Sequence, residues 1–164
     1  MIARRHDRKS PGPFRDLARY IADAREKGEK LDDLWMVNSG AGENVKELDM
    51  AIMEIEAQQA MNSRVQADKS YHLVVSFREG EKPDPEVLKD IDKEFARALG
   101  FEEHPRIVAT HANTENFHMH IAYSRVHPET FKALTPFQDF RAMEKVNRAM
   151  EKKHGLEIDV GEAE

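Results

Sequence analysis

Four stretches of the chain repeat apolar residues at helical spacing, and four others are short apolar or alternating runs of strand type. Phe14, Leu17, Ala18 and Ile21 form the stripe of a helix predicted from Phe14 to about Lys27 and stopped near Gly28. Tyr20 sits at the edge of that stripe, where its hydroxyl could reach outward. Val45, Leu48, Ile52 and Ile55 mark a second helix over residues 45–64. Asp84 before Pro85 is a start signal for a third, an N-cap with proline at the first helical position. Its apolar face carries Val87, Leu88, Ile91, Phe95 and Leu99, and Gly100 ends it. Thr135-Pro136 opens a last helix with Phe140, Val146 and Met150, closing at His154-Gly155. Between these, strands are predicted at residues 34–38, 71–77, 106–111 and 117–126.

Side chains alternate across a strand. Leu73, Val75 and Phe77 therefore face one way and His72, Val74 and Ser76 the other. Met119, Ile121 and Tyr123 face away from His118, His120, Ala122 and Ser124. The last two strands are joined too tightly for a parallel crossover, so they pair antiparallel. The expected fold class is α+β, a mostly antiparallel central sheet with helices packed on one face. The apolar set would meet the helices, leaving a small, polar floor around the histidines that is open to a substrate.

At 164 residues the chain is sized for one domain, and its 40% hydrophobic and 34% charged residues suit a globular one. It has no cysteine, which excludes disulfides, thiolate metal sites and cysteine nucleophiles. It has no apolar run long enough to span a membrane and no secretory leader at the N-terminus, so the expected location is the cytoplasm. The net charge of −6 argues against a simple nucleic-acid coat. Residues 1–19 nevertheless carry Arg4, Arg5, Arg8, Lys9, Arg15 and Arg19 against Asp7 and Asp16. Such a basic arm suits local contact with one nucleic-acid strand, and equally a solvated terminus.

The chemistry concentrates in THANTENFHMHIAYSRV, where H-x6-H-x-H gathers His111, His118 and His120 within ten residues. His118 and His120 share a strand face, and a turn through residues 113–116 brings His111 back beside them. An isolated H-x-H is also what chance or a hydrogen-bonded pair would give. Three neutral imidazoles make a ligand set for a divalent metal with coordination positions left open. Tyr20 is the candidate nucleophile. A tyrosine hydroxyl, with an ordinary pKa of about 10, needs a base, a metal or a positive field, and Arg19 with the basic arm would supply that field and hold phosphates. The alternative is a boundary tyrosine covering the core. Tyr123 faces away from the histidines and Tyr71 reads as core.

A basic N-terminal segment, a helix with F-x-x-L-x-R-Y-I, then YHLVVSFREGEKPDPEVLKDID, then ALGFEEHPRIVATHANTENFHMHIAYSRVHP, follow in order, with a closing KKHGLEID. Together they resemble the nuclease domain of the TraI/VirD2-like relaxases of plasmid and integrative-element mobilisation, within the HUH endonucleases. The resemblance implies that Tyr20 attacks the phosphate at the nick site of a transfer origin, giving a 5′-phosphotyrosine and a free 3′-hydroxyl in a reversible step. It implies that His111, His118 and His120 bind a divalent cation, magnesium or manganese being usual. Ser76 would hold DNA beside the nick, with Arg4, Arg5 and Arg19 on phosphates. Thr114 and Asn116 match the third motif. Asn113 departs from it, standing where family members commonly carry an acid, so the proton path would use Asn113 or Glu115. The implied partners are single-stranded DNA, accessory relaxosome proteins and a type IV secretion coupling protein. Residues 1–164 would then be a single nicking domain, the N-terminal part of something longer.

Other readings remain. A rolling-circle replication or transposition nuclease of the HUH type typically places its tyrosine after the histidines, whereas Tyr20 precedes them by about ninety residues. A catalytically silent DNA-binding module would keep the fold and lose nothing with Tyr20. A generic metallohydrolase would act on small phosphodiesters without it.

Overall fold

Period-two alternation is clearest in β3 (Ser70–Ser76), where Leu73 and Val75 are fully buried on one side. The structure, a computed structural model, describes residues 1–8, 12–24, 28–113 and 115–161; Lys9, Lys27 and Thr114 lie outside them. β3 pairs on one edge with β1 (Ile2–His6) and on the other with β5 (Asn116–Ser124). β4 (Arg106–Asn113) follows β5, and β2 (Lys30–Val37) closes the sheet in the order β1-β3-β5-β4-β2. Every pairing is antiparallel. The strand carrying His118 and His120 is therefore the middle one. The α+β class and the antiparallel sheet match the sequence expectation.

β1 was not predicted. IARRH is short and carries adjacent arginines, so it reads as a solvated arm; the free edge of β3 supplies the pairing that its own pattern does not signal. β2 starts earlier than expected, with a register irregularity between Leu31 and Asp33.

The helices are α1 (Phe14–Ala22), α2 (Leu48–Ala60) after a single 3-10 turn at Val45–Glu47, α3 (Pro85–Leu99) and α4 (Asp139–His154). α3 has the limits that its sequence announces, with Gly100 at φ 86° in the left-handed region. α2 stops earlier than expected, where the Asn62 side-chain oxygen accepts the N–H groups of Arg64 and Val65. α4 begins after the expected Thr135-Pro136, because Thr135 Oγ1 accepts a 2.6 Å bond from Arg125 and Gln138 turns the chain at φ 47°. Among the described residues, no helix is long and apolar enough to cross a membrane.

Helices cover both faces of the sheet, where the sequence suggested one. α3 and α4 pack Ile91, Phe95, Leu99, Met143 and Val146 against Leu73, Val75, Met119, Ile121 and Tyr123. α1 and α2 pack Phe14, Leu17, Ile21, Ile52 and Ile55 on the opposite side, against Leu34, Met36, Ile107, Ala109 and Ala122. The second face is apolar on β2 and β4 even though it is polar at the histidines, and that surface has to be covered. Ala109 and Ala122 are small and fully buried, which lets α1 approach the sheet closely.

One buried ion pair ties β4 to α3. Arg106 Nε donates to Asp92 Oδ1 at 2.8 Å, and Trp35 Nε1 donates to Oδ2 at 3.3 Å. Removing one member strands the other's charge. Asp92→Ala is expected to cost about 3–5 kcal/mol in urea unfolding, whereas truncating the half-buried Glu94, paired with the exposed Arg97, should cost less than about 1 kcal/mol.

Candidate active site

The register of the sheet sets the site. His111 on β4 lies directly opposite His118 on β5, and His120 lies between Ala109 of β4 and Val74 of β3. All three imidazoles thus leave the same face, as strand parity predicts. Two more histidines join them. His72 of β3 is paired with Ala122, and His6 of β1 with His72. His6 and His72 have ring centres 5.2 Å apart, and His111 stacks on His120 at 4.2 Å. His72 Nε2 and His120 Nδ1 share a 3.0 Å hydrogen bond.

α1 lies over this face. His111 Nε2–H donates to the Ile21 carbonyl at 2.6 Å, so the last turn of α1 holds that ring. Tyr20, one residue earlier, meets His72 edge to face at 6.2 Å between ring centres. Tyr20 and His72, with His6, Arg8, Asp16 and Leu17, line a cleft of about 510 Å³ between β1 and α1. The open polar floor expected around the histidines is not what forms. His111 and His120 are each 1% exposed, and solvent reaches the cluster at the His118 and His6 ends.

Burial dominates the electrostatics. It holds His120 down to about 2 and His72 to about 3, with smaller contributions from the neighbouring imidazoles and, for His72, from Arg8. Both rings are neutral at physiological pH and keep a lone pair. Among the described residues, His111 Nδ1 and His120 Nε2 are buried without a hydrogen-bond partner. His118 Nδ1 lies 3.1 Å from Glu29 Oε1. Buried imidazole nitrogens without a hydrogen-bond partner are the donor chemistry a divalent cation uses. As the side chains stand, no set of three His, Asp or Glu among the described residues is arranged to hold a metal ion.

The other expected residues divide. Ser76 is opposite His118 at the end of β3, half-buried and on the histidine face. Arg4, opposite Val74, is on that face too, but exposed on the edge strand. Arg5 is on the other side, with its guanidinium 3.0 Å from Asp139 of α4 and 2.9 Å from Asp7. Arg19 is paired with Asp49 of α2, which offsets the field that it would lend Tyr20. Asn113 is half-buried and its amide sits against Gly28. Glu115 is fully exposed at the β4–β5 turn, where a hydrogen bond shared with Glu79 raises its pKa. His72, His6 and Glu29 were not singled out from sequence. Parity had put His72 on the Ser76 face, a signal that could have found it. Nothing in the charged run around Glu29 distinguishes that residue.

The chain is similar to several known proteins. The relaxase family described as MobA/VirD2-like, nuclease domain, matches residues 20–156. A TraI protein of Escherichia coli is 39% identical over 161 residues, 97% of this chain, and a second E. coli TraI is 40% identical over 146 residues. The chain spans about a fifth of the length of these relatives, 21% and 19%. A MobA protein of Acidithiobacillus ferrooxidans is 42% identical over 78 residues, 48% of this chain and 18% of that one. A solved structure concerning the molecular basis of vancomycin resistance transfer in Staphylococcus aureus shares the fold. Its TM-score is 0.51 at 15% identity, covering 82% of this chain and 77% of that one.

The buried neutral histidines carry a pH signature. Below the ordinary histidine pKa of about 6.5 the unfolded chain takes up protons that folded His72 and His120 do not, so stability is full above that value and falls as pH drops towards 3. Urea midpoints of chelator-treated protein should decline between about pH 7 and pH 5, and His72→Gln should flatten that slope.

Proposed function

The chain belongs to the MobA/VirD2-like relaxase family as its nuclease domain, and on that premise we propose that it nicks one DNA strand at a transfer origin through Tyr20. The observation that carries this reading is the position of Tyr20. It lines an open cleft, edge-on to His72, which is hydrogen-bonded into the buried histidine cluster. We take the substrate to be a single strand laid along that cleft.

In the proposed step the Tyr20 hydroxyl oxygen bonds to phosphorus while the bond to the 3′-oxygen breaks. One phosphoester replaces another, so the strand can be rejoined by the reverse attack. The proton released by Tyr20 balances the one taken up at the 3′-oxygen. His111, His118 and His120 would hold a divalent cation, magnesium or manganese, which when bound polarises the non-bridging phosphate oxygens as a Lewis acid. His72, held near 3, is a weak base, so its part is to fix the His120 ring through their shared hydrogen bond. Ser76 and Arg4, both on the histidine face, would contact the strand; Arg5 and Arg19 would first have to leave their carboxylate partners. We further propose that the domain is the nicking portion of a longer cytoplasmic relaxase. It would act with accessory relaxosome proteins and a type IV secretion coupling protein.

Covalent capture tests the reading. Protein mixed with Mn²⁺ and single-stranded oligonucleotides spanning relaxase-type nick regions should give a protein–DNA adduct on a denaturing gel. Tyr20→Phe should lower adduct yield by at least about 10³-fold, and a chelator should abolish it. DNA binding without an adduct from any oligonucleotide would overturn the nicking function in favour of a silent binding module.

A further inference from the structure

Glu29 stands out from the charged segment in which it lies. Its side chain is 4% exposed, whereas the adjacent Lys30 is exposed. A carboxylate withdrawn from water needs a partner that repays the lost hydration. That partner is His118: Glu29 Oε1 is 3.1 Å from His118 Nδ1, and among the described residues Glu29 Oε2 is buried without a partner. An ionised carboxylate only accepts, so Nδ1 must carry the proton, which leaves Nε2 with the lone pair.

His118 is also the one of the three family-matched histidines that packing does not fix. His111 and His120 are 1% exposed and stacked on each other, whereas the His118 side chain is 25% exposed. The backbone brings the acid to it by a left-handed turn at Gly28, φ 83°. The Asn113 amide rests against that turn, 3.5 Å from where a Gly28 Cβ would stand. The position where relatives were expected to carry an acid is thus in contact with the residue preceding Glu29.

We propose that Glu29 is the positioning residue for His118. It fixes the Nδ1–H tautomer and ring orientation and leaves Nε2 as the ligating nitrogen, so the carboxylate expected at position 113 comes from the segment before β2. The proposal rests on the cation-binding role of the histidines set out above. Glu115, exposed beside Glu79, takes no part in orienting His118 in this proposal.

The test compares the wild-type chain with Glu29→Gln, which keeps size and removes the charge. Long-range ¹H–¹⁵N spectra of the imidazoles report tautomers, and Mn²⁺ titration followed by electron paramagnetic resonance reports affinity, both without DNA. Expected are an Nδ1–H tautomer for His118 in the wild type and a mixed one in Glu29→Gln, with His111 and His120 unchanged. Mn²⁺ affinity should fall about 10–100-fold in the variant, and adduct yield with it at fixed Mn²⁺. Wild-type-like tautomer and affinity in a folded Glu29→Gln would overturn the proposal. If the variant does not fold, the wild-type spectrum decides: an Nε2–H form of His118 refutes Glu29 as its acceptor. Wild type that binds Mn²⁺ yet forms no adduct would sink the nicking function, while the tautomer and affinity would still judge Glu29.

Discussion

The period of two along paired strands is the constraint on which the site depends. In the β4–β5 ladder His111 faces His118 and Ala109 faces His120, and β3 adds His72 and Ser76 on the same side. A slip of one residue would turn both β5 histidines into the α3–α4 core and push Met119 and Ile121 towards the cleft. Apolar side chains on both faces resist that slip. Leu73, Val75 and Ile121 hold one side, and Ile107, Ala109 and Ala122 hold the other. The register that buries the core is the register that assembles the imidazoles.

Covering the second face has chemical consequences. α1 docks because Phe14, Leu17 and Ile21 need burial, and in docking it excludes water from His72, His111 and His120. Desolvation is the largest influence on both His72 and His120, so their neutrality is a product of packing. The same helix supplies the Ile21 carbonyl to His111 and sets Tyr20 against His72. One amphipathic helix therefore covers the core, fixes a ring and delivers the tyrosine.

Much of this was legible beforehand because it is local. H-x6-H-x-H, the parity of β3 and β5, and the Asp84-Pro85 and Gly100 limits of α3 each depend on a few adjacent residues. The rest is non-local. β1 exists because β3 offers an edge, and that pairing divides its two arginines: Arg4 takes the histidine face while Arg5 turns to Asp139. The engagement of Arg19 by Asp49 depends on how α1 lies beside α2. Glu29 resembles its charged neighbours in sequence and differs only in being buried against a histidine about ninety residues away. Helices on both faces could not be inferred from strands scored one at a time, since the second apolar face is shared among β2, β4 and β5.

The strand order also bears on how the chain reaches this arrangement. β1 pairs with β3 across some seventy residues, β2 with β4 across a comparable span, and β3 with β5 across nearly fifty. β4 and β5 pair from Asn113 opposite Asn116, only three positions apart in sequence. Loop-closure entropy grows with the length of chain enclosed, so this hairpin is the least costly pairing in the sheet to close. Residues 106–124 accordingly bring His111, His118 and His120 onto one side before any distant segment must be recruited. The histidine-bearing ladder is the natural seed of the sheet, and the segments bearing Tyr20 and Glu29 join it only through long-range closure.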